Sequence, residues 1–154
     1  MVKGLTAVIR WPIETKTILV VEDDLDDQEF ISAALQSCGL RDAATIVEGG
    51  VQALDFLLDG KLQSRMPAVV ILDLMLPKLS GLEVLQRLRA DPRIAAVPVV
   101  LFSSSTCPDD INRSYQLGAN SYVRKPVDPE DFTKAVVELA RYWTARNIPA
   151  VTDP

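Results

Sequence analysis

The chain has 154 residues, 48% hydrophobic and 24% charged, which suits one globular domain hiding roughly 68–70% of its unfolded surface. Its net charge of −5 speaks against a duplex-binding protein, since affinity for nucleic acid comes largely from Lys and Arg neutralising phosphates. Histidine is absent, which excludes His-ligated metals, a Ser-His-Asp triad and a phosphohistidine on this chain.

The two cysteines, Cys38 and Cys107, form no disulfide framework, so a reducing cytoplasm is the expected setting. No apolar run is long enough to span a bilayer. The opening MVKGLTAVIRWP lacks the apolar core and small-residue cleavage site of a signal peptide. Neither membrane nor nucleic acid is expected as a partner.

Apolar β-branched runs alternate with segments of helical period. Thr17 to Val21 reads as a first strand. A helix follows, with Ile31, Ala34, Leu35 and Cys38 on one face and Gly39 just past its end. Cys38 is expected as a small buried hydrophobe. Ala43 to Val47 is a short second strand. Val51, Leu54 and Leu58 line a second helix that Gly60 could end. Ala68 to Leu72 is apolar throughout, as a strand covered on both faces should be. Leu82, Leu85 and Leu88 mark a third helix, closed by Asp91-Pro92.

Val97 to Phe102 is the fourth strand, another unbroken apolar run. Pro108 suits the first turn of a fourth helix and Gly118 its end. Ser121 to Arg124 is the fifth strand. Asp128-Pro129-Glu130-Asp131 is a cap, a first-turn proline and two acids, and opens a fifth helix. Phe132, Ala135, Val136, Leu139, Ala140 and Trp143 carry its apolar stripe. The expected organisation is an extension over 1–16, a domain over 17–144 and a tail over 145–154. Five strand–helix units in alternation imply a parallel sheet with helices on both faces. Spacing alone leaves the strand order open.

Charged residues end several of these strands: Glu22 and Asp23 after ILVV, Asp73 after VVIL, Lys125 after SYVR. In an open parallel sheet those ends converge on one crevice, where ligands bind. Three carboxylates there repel one another, and either take up protons or recruit a cation. A hard divalent ion such as Mg²⁺ fits, because it accepts few protein carboxylates and keeps waters and phosphate oxygens.

The runs ILVVEDD, ILDLMLP, VPVVLFSSS and LGANSYVRKP, in this order and spacing, resemble the receiver domain of two-component response regulators, the CheY-like family. The likeness covers about Thr17 to Trp143. LPKLSG, RSYQLGANSY and a tail with Tyr142-Trp143 before Ile148-Pro149 are similar, less specifically, to stand-alone regulators that partner phytochrome-type sensor kinases. The resemblance implies a flavodoxin-like doubly wound (βα)5 fold with strand order 2-1-3-4-5. It also implies a role as a phosphoacceptor, and not as an enzyme acting on a separate metabolite.

Residue by residue, the resemblance makes Asp73 the phosphoryl acceptor. Asp23, Asp73 and the Met75 backbone carbonyl become direct Mg²⁺ ligands, with Glu22 acting through water. Lys125 becomes the cation that pairs with the acids and then with the phosphoryl group, across a Lys125–Pro126 bond that is often cis. Ser103 becomes the switch hydroxyl and Tyr122 the switch aromatic. The implied partner is a sensor histidine kinase. Output would come through the face of the fourth helix, fifth strand and fifth helix, since only about eleven residues follow Trp143. With Tyr142, Trp143 and the tail, that face is a candidate homodimer seam.

Each residue also has a plainer reading. Asp73 can be a turn acid, Lys125 a solvated strand-end lysine, Ser103 part of the polar loop Ser103 to Thr106, and Tyr122 an ordinary strand aromatic. Asp24, Asp26 and Asp27 read as helix-start acids at the positive end of the dipole. The family often carries Asn or Glu two residues after the acceptor to orient attacking water. Met75 stands there, so slow unaided hydrolysis of a phosphoryl group is expected. Two other functions share these residues: an aspartyl-phosphate hydrolase of the haloacid dehalogenase type, which needs an acid at Met75, and a receiver-like interaction module without phosphorylation.

Overall fold

The computed structural model describes residues 16–59 and 66–150. The predicted extension lies outside them apart from Lys16, as do Gly60 and residues 151–154 of the tail. The elements run β1 (Ile18–Val21), α1 (Leu25–Ser37), β2 (Ala44–Val47), α2 (Gly50–Leu58), β3 (Val69–Leu72), α3 (Gly81–Ala90), β4 (Val99–Ser103), α4 (Pro108–Gln116), β5 (Ser121–Arg124) and α5 (Pro129–Arg141). The sheet is parallel throughout, in the order β2-β1-β3-β4-β5.

Alternate residues of the central strands feed two cores. Leu19, Val21, Val70, Leu72, Val99 and Leu101 pack with Ala53 and Leu57 of α2 and Val84, Leu85 and Leu88 of α3. Ile18, Val20, Val69, Ile71, Val100 and Phe102 pack with Ile31, Ala34 and Leu35 of α1 and Phe132, Val136 and Ala140 of α5. Each such Val, Leu, Ile or Phe, fully buried, contributes about 1.5–3 kcal/mol. Double coverage is why β1, β3 and β4 show no alternation in sequence. By contrast α4 buries only Ser114.

The helices start where their caps say. Asp24 caps α1 by accepting from the Asp27 N–H, Ser80 and Glu83 form a reciprocal capping box on α3, and Asp128 accepts from the Glu130 and Asp131 N–H groups on α5. Gly39 and Gly118 adopt positive φ just beyond α1 and α4, the left-handed stop that glycine makes without strain.

The structure departs from the sequence expectation in four places. In α2 the buried stripe is Gly50, Ala53 and Leu57, while Val51 is half exposed and Leu54 and Leu58 lie on the flank. A Cβ at Gly50 would overlap the Val84 side chain, so α2 meets α3 along its smaller residues. β4 begins at Val99, because the Val97 N–H closes a turn onto Ile94 O and Pro98 has no N–H to give. Cys38 is half-buried as the cap residue of α1, its Sγ donating to Leu35 O at 3.4 Å. The last helix passes at Tyr142 into a π-turn over Tyr142–Arg146, where Asn147 N–H bonds Tyr142 O.

The register positions the chemistry. Val21 lies opposite both Val47 and Leu72, and Ser103 opposite Arg124. The next residues continue the ladder: Glu22 N–H bonds Val47 O at 3.0 Å, Asp73 N–H bonds Val21 O at 3.1 Å, and Lys125 N–H bonds Ser103 O at 2.8 Å. Four elements thus deliver their polar residues to one rim.

Candidate functional site

Glu22, Asp23 and Asp73 each bring a carboxylate oxygen within 4.8 Å of the other two. Glu22 is 1% exposed and Asp73 6%, and Asp23 is the solvent-facing member. Three hard oxygen donors converging on a partly open point match what Mg²⁺ accepts, since that ion retains several waters. The residues present fit a divalent cation. Met75 belongs to the same turn: its N–H reaches Asp73 Oδ1 at 3.3 Å, and its side chain is 71% exposed. Beside Asp23 a cleft of about 460 Å³ opens, lined also by Glu48, Gln52, Pro77 and Lys78.

Lys125, 8% exposed, binds the cluster together. Its Nζ lies 2.6 Å from Glu22 Oε2, 2.7 Å from Asp27 Oδ2 and 3.1 Å from Asp73 Oδ2. Burial by itself would lower this ammonium. The hydrogen bonds to Asp27 and Glu22 and the charge of Asp73 outweigh that, so it is held protonated above its ordinary range. Burial pushes the Glu22 carboxyl up to about 7, with the Asp73 charge adding and the Lys125 bond opposing. Glu22 is further fixed by the Asp24 N–H on Oε1 and by Gln28 donating to its carbonyl.

Sequence reasoning assigned Asp27 to helix-start duty alone and missed its place at Lys125. The signal was present: Asp27 falls in the first turn of the helix that leaves this rim just after Asp23. Asp24 is the cap it was read to be.

Ser103 and Tyr122 meet at Ser105. Ser103, fully buried, accepts from the Ser105 N–H at 3.2 Å, and the Tyr122 hydroxyl donates to Ser105 O at 2.9 Å. The loop leaving β4 is therefore held by both predicted switch residues. No cis peptide bond occurs among the described residues, so the Lys125–Pro126 bond is trans. Beneath the nucleophile candidate, Gly81 comes so close that a Cβ there would overlap the Asp73 carbonyl oxygen. The Gly81 N–H bonds Leu74 O.

Residues 18–137 match the family described as the response regulator receiver domain. The chain belongs to that family. Receiver domains act as signalling phosphoacceptors that interact with sensor histidine kinases and bind Mg²⁺ or Mn²⁺ at an acidic pocket, which sets aside the haloacid dehalogenase reading. The receiver is 38% identical over 131 residues to the probable methanogenesis regulatory protein FilR2 of Methanothrix harundinacea, covering 84% of each chain. It is 33% identical over 130 residues to response regulator Rcp1 of Synechocystis sp., covering 83% of this chain and 88% of that one. Among solved structures, the phosphorylated cyanobacterial phytochrome response regulator RcpA superposes with a TM-score of 0.79 at 32% identity, over 88% of this chain and 99% of that one. The Mn(2+)-bound form of Rcp1 superposes with a TM-score of 0.76 at 29% identity, over 88% and 99% of the two chains. The receiver's similarity therefore runs to stand-alone phytochrome response regulators.

Proposed function

We propose that this receiver domain is a single-domain response regulator. In this reading it accepts a phosphoryl group on Asp73, with Mg²⁺, from a phosphohistidine of a phytochrome-type sensor kinase. It then signals in the cytoplasm by binding a protein partner. The observation that carries the reading is the convergence of Glu22, Asp23 and Asp73 oxygens within 4.8 Å beside the Lys125 ammonium.

An Asp73 carboxylate oxygen attacks phosphorus as the phosphorus–nitrogen bond of the donor breaks, giving an acyl phosphate. Mg²⁺ held by Asp23, Asp73 and the Met75 carbonyl, with Glu22 behind a water, would neutralise charge on the transferring group. Lys125 turns its third N–H from Asp73 to a phosphoryl oxygen. The Ser103 hydroxyl donates a hydrogen bond to another, and the Ser105 loop it holds is released or redrawn with Tyr122. With Met75 two residues after the acceptor, that position offers no Asn or Glu to orient an attacking water, and the acyl phosphate is slow to hydrolyse unaided. A lifetime of seconds would contradict that point.

Leu25, Met75 and Val127, at 68%, 71% and 90% exposure, ring the same rim and offer an apolar surface to a kinase. For the output face, a groove of about 420 Å³ lies between the edge strand β5 and α5, lined by Val123, Leu139, Tyr142 and Trp143 among others. A second copy is its proposed occupant, and sedimentation with and without phosphorylation tests it. No helix among the described residues is long and apolar enough to cross a membrane.

Incubation with acetyl phosphate and Mg²⁺, followed by intact mass, tests the central reading. One added phosphoryl group, lost in Asp73→Asn, supports it. Absence of both Mg²⁺ binding and modification favours the silent interaction module.

A further inference from the structure

All three hydrogens of the Lys125 ammonium have carboxylate partners, and the three bonds are unequal. Those to Glu22 and Asp27 are 2.6 and 2.7 Å, while that to Asp73 is 3.1 Å. Charge-assisted N–H···O bonds prefer about 2.7–2.9 Å, so Asp73 has the weakest hold on the lysine. Asp27 is well anchored for the competition. It stands in the first turn of α1, its N–H bonds the Asp24 cap at 2.9 Å, and its side chain is 29% exposed against 9% for Lys125.

We infer that Asp27 is a positioning residue that holds the Lys125 ammonium off the Asp73 carboxylate, keeping that carboxylate available to the metal and to phosphorus. This rests on the proposed phosphoacceptor function. Three carboxylates, Glu22, Asp27 and Asp73, share one ammonium, and Asp23 stands beside Glu22 and Asp73. Remove the Asp27 charge and one strong acceptor is lost. The Glu22 bond, at 2.6 Å, is already short, so the ammonium closes on Asp73, whose 3.1 Å contact can still tighten. It then engages the lone pairs needed for attack and competes with Mg²⁺ for the same oxygens. After transfer the Glu22 and Asp27 bonds persist, so the lysine stays in place and only its third N–H changes partner. A helix-start acid with no further duty would do none of this.

The test uses the full chain in four forms: wild type, Asp27→Asn, Asp27→Glu, and Asp26→Asn, which removes an equal charge from the same exposed turn. Mg²⁺ affinity is read by calorimetry. The initial rate of acetyl phosphate modification is read at saturating Mg²⁺. The Lys125–Asp73 distance is read from metal-free crystal structures. Asp27→Asn should weaken Mg²⁺ binding and slow modification about threefold or more beyond Asp26→Asn, and shorten the 3.1 Å contact towards about 2.8 Å. Asp27→Glu should recover most of both. If Asp27→Asn does not fold, Asp27→Ser is measured in its place. Equal behaviour of Asp27→Asn and Asp26→Asn, with a wild type that binds Mg²⁺ and is modified, overturns the inference alone. A wild type that does neither overturns the phosphoacceptor reading, and the inference with it.

Discussion

Lys125 Nζ lies 2.6 Å from Glu22 Oε2, although 103 positions separate the two residues. Both are almost fully buried. Such a pair is costly to desolvate, and removing one partner costs far more than the pair itself contributes.

Lys125→Met keeps the aliphatic stem and removes the charge. Glu22, Asp27 and Asp73 are then left facing one another. Metal-free protein at pH 8 should lose about 3 kcal/mol of unfolding free energy. Because the competing cation is gone, Mg²⁺ should bind more tightly and recover part of the loss. Urea titrations with and without Mg²⁺ measure both effects.

Glu22 gives a pH signature. Its carboxyl sits at about 7 in the fold against an ordinary 4.5. Between those values the folded protein keeps a proton that the unfolded chain has released, so metal-free stability falls as pH rises from about 4.5 to 7, then levels. The slope is at most about 1 kcal/mol per pH unit. Glu22→Gln should remove it, so the variant's stability relative to wild type rises with pH across that window. Since Mg²⁺ binding requires the carboxylate, stabilisation by Mg²⁺ should be larger at pH 8 than at pH 6. Thermal melts at the two pH values report it.

Gly81→Ala sets two effects against each other. Replacing glycine in a helix ordinarily stabilises by about 0.4–1 kcal/mol. Here the new methyl would overlap the Asp73 carbonyl oxygen, and overpacking of that kind costs about 1–3 kcal/mol. The overlap should win. The variant should be less stable and slower to accept phosphoryl from acetyl phosphate, as the peptide bearing the nucleophile shifts.

Tyr122→Phe removes the hydroxyl that donates to Ser105 O and should cost about 1 kcal/mol. Amide hydrogen exchange should quicken at Ser105 and Cys107, whose N–H groups lie in that loop on Ser103 Oγ and Ser105 Oγ. Unchanged exchange there would show that the phenol does not restrain the loop.

The sequence carried the five units, their order along the chain and the residues at the strand ends, because strands buried on both faces read as unbroken apolar runs and charged residues then stand out at their exits. It hid finer details of packing, turn and pairing. The buried face of α2 is chosen by the close approach of Gly50 to Val84, and helical period alone permits either of two stripes one residue apart. The start of β4 is decided by a turn at Ile94 that an apolar run conceals. Asp27 looked like a dipole acid because its second partner, Lys125, is 98 residues away. The convergence of the strand ends and the pairing of Lys125 with the acids were legible, and the further bond to Asp27 was not.

The parallel register also makes the molecule lopsided. Each residue discussed for chemistry emerges from one edge of the sheet, while turns such as that at Gly39, between α1 and β2, lie at the opposite end. A tag or a reporter peptide spliced at Gly39 would leave every reacting atom undisturbed. A single residue inserted into β1 or β3 would rotate Glu22 or Asp73 into a hydrocarbon layer.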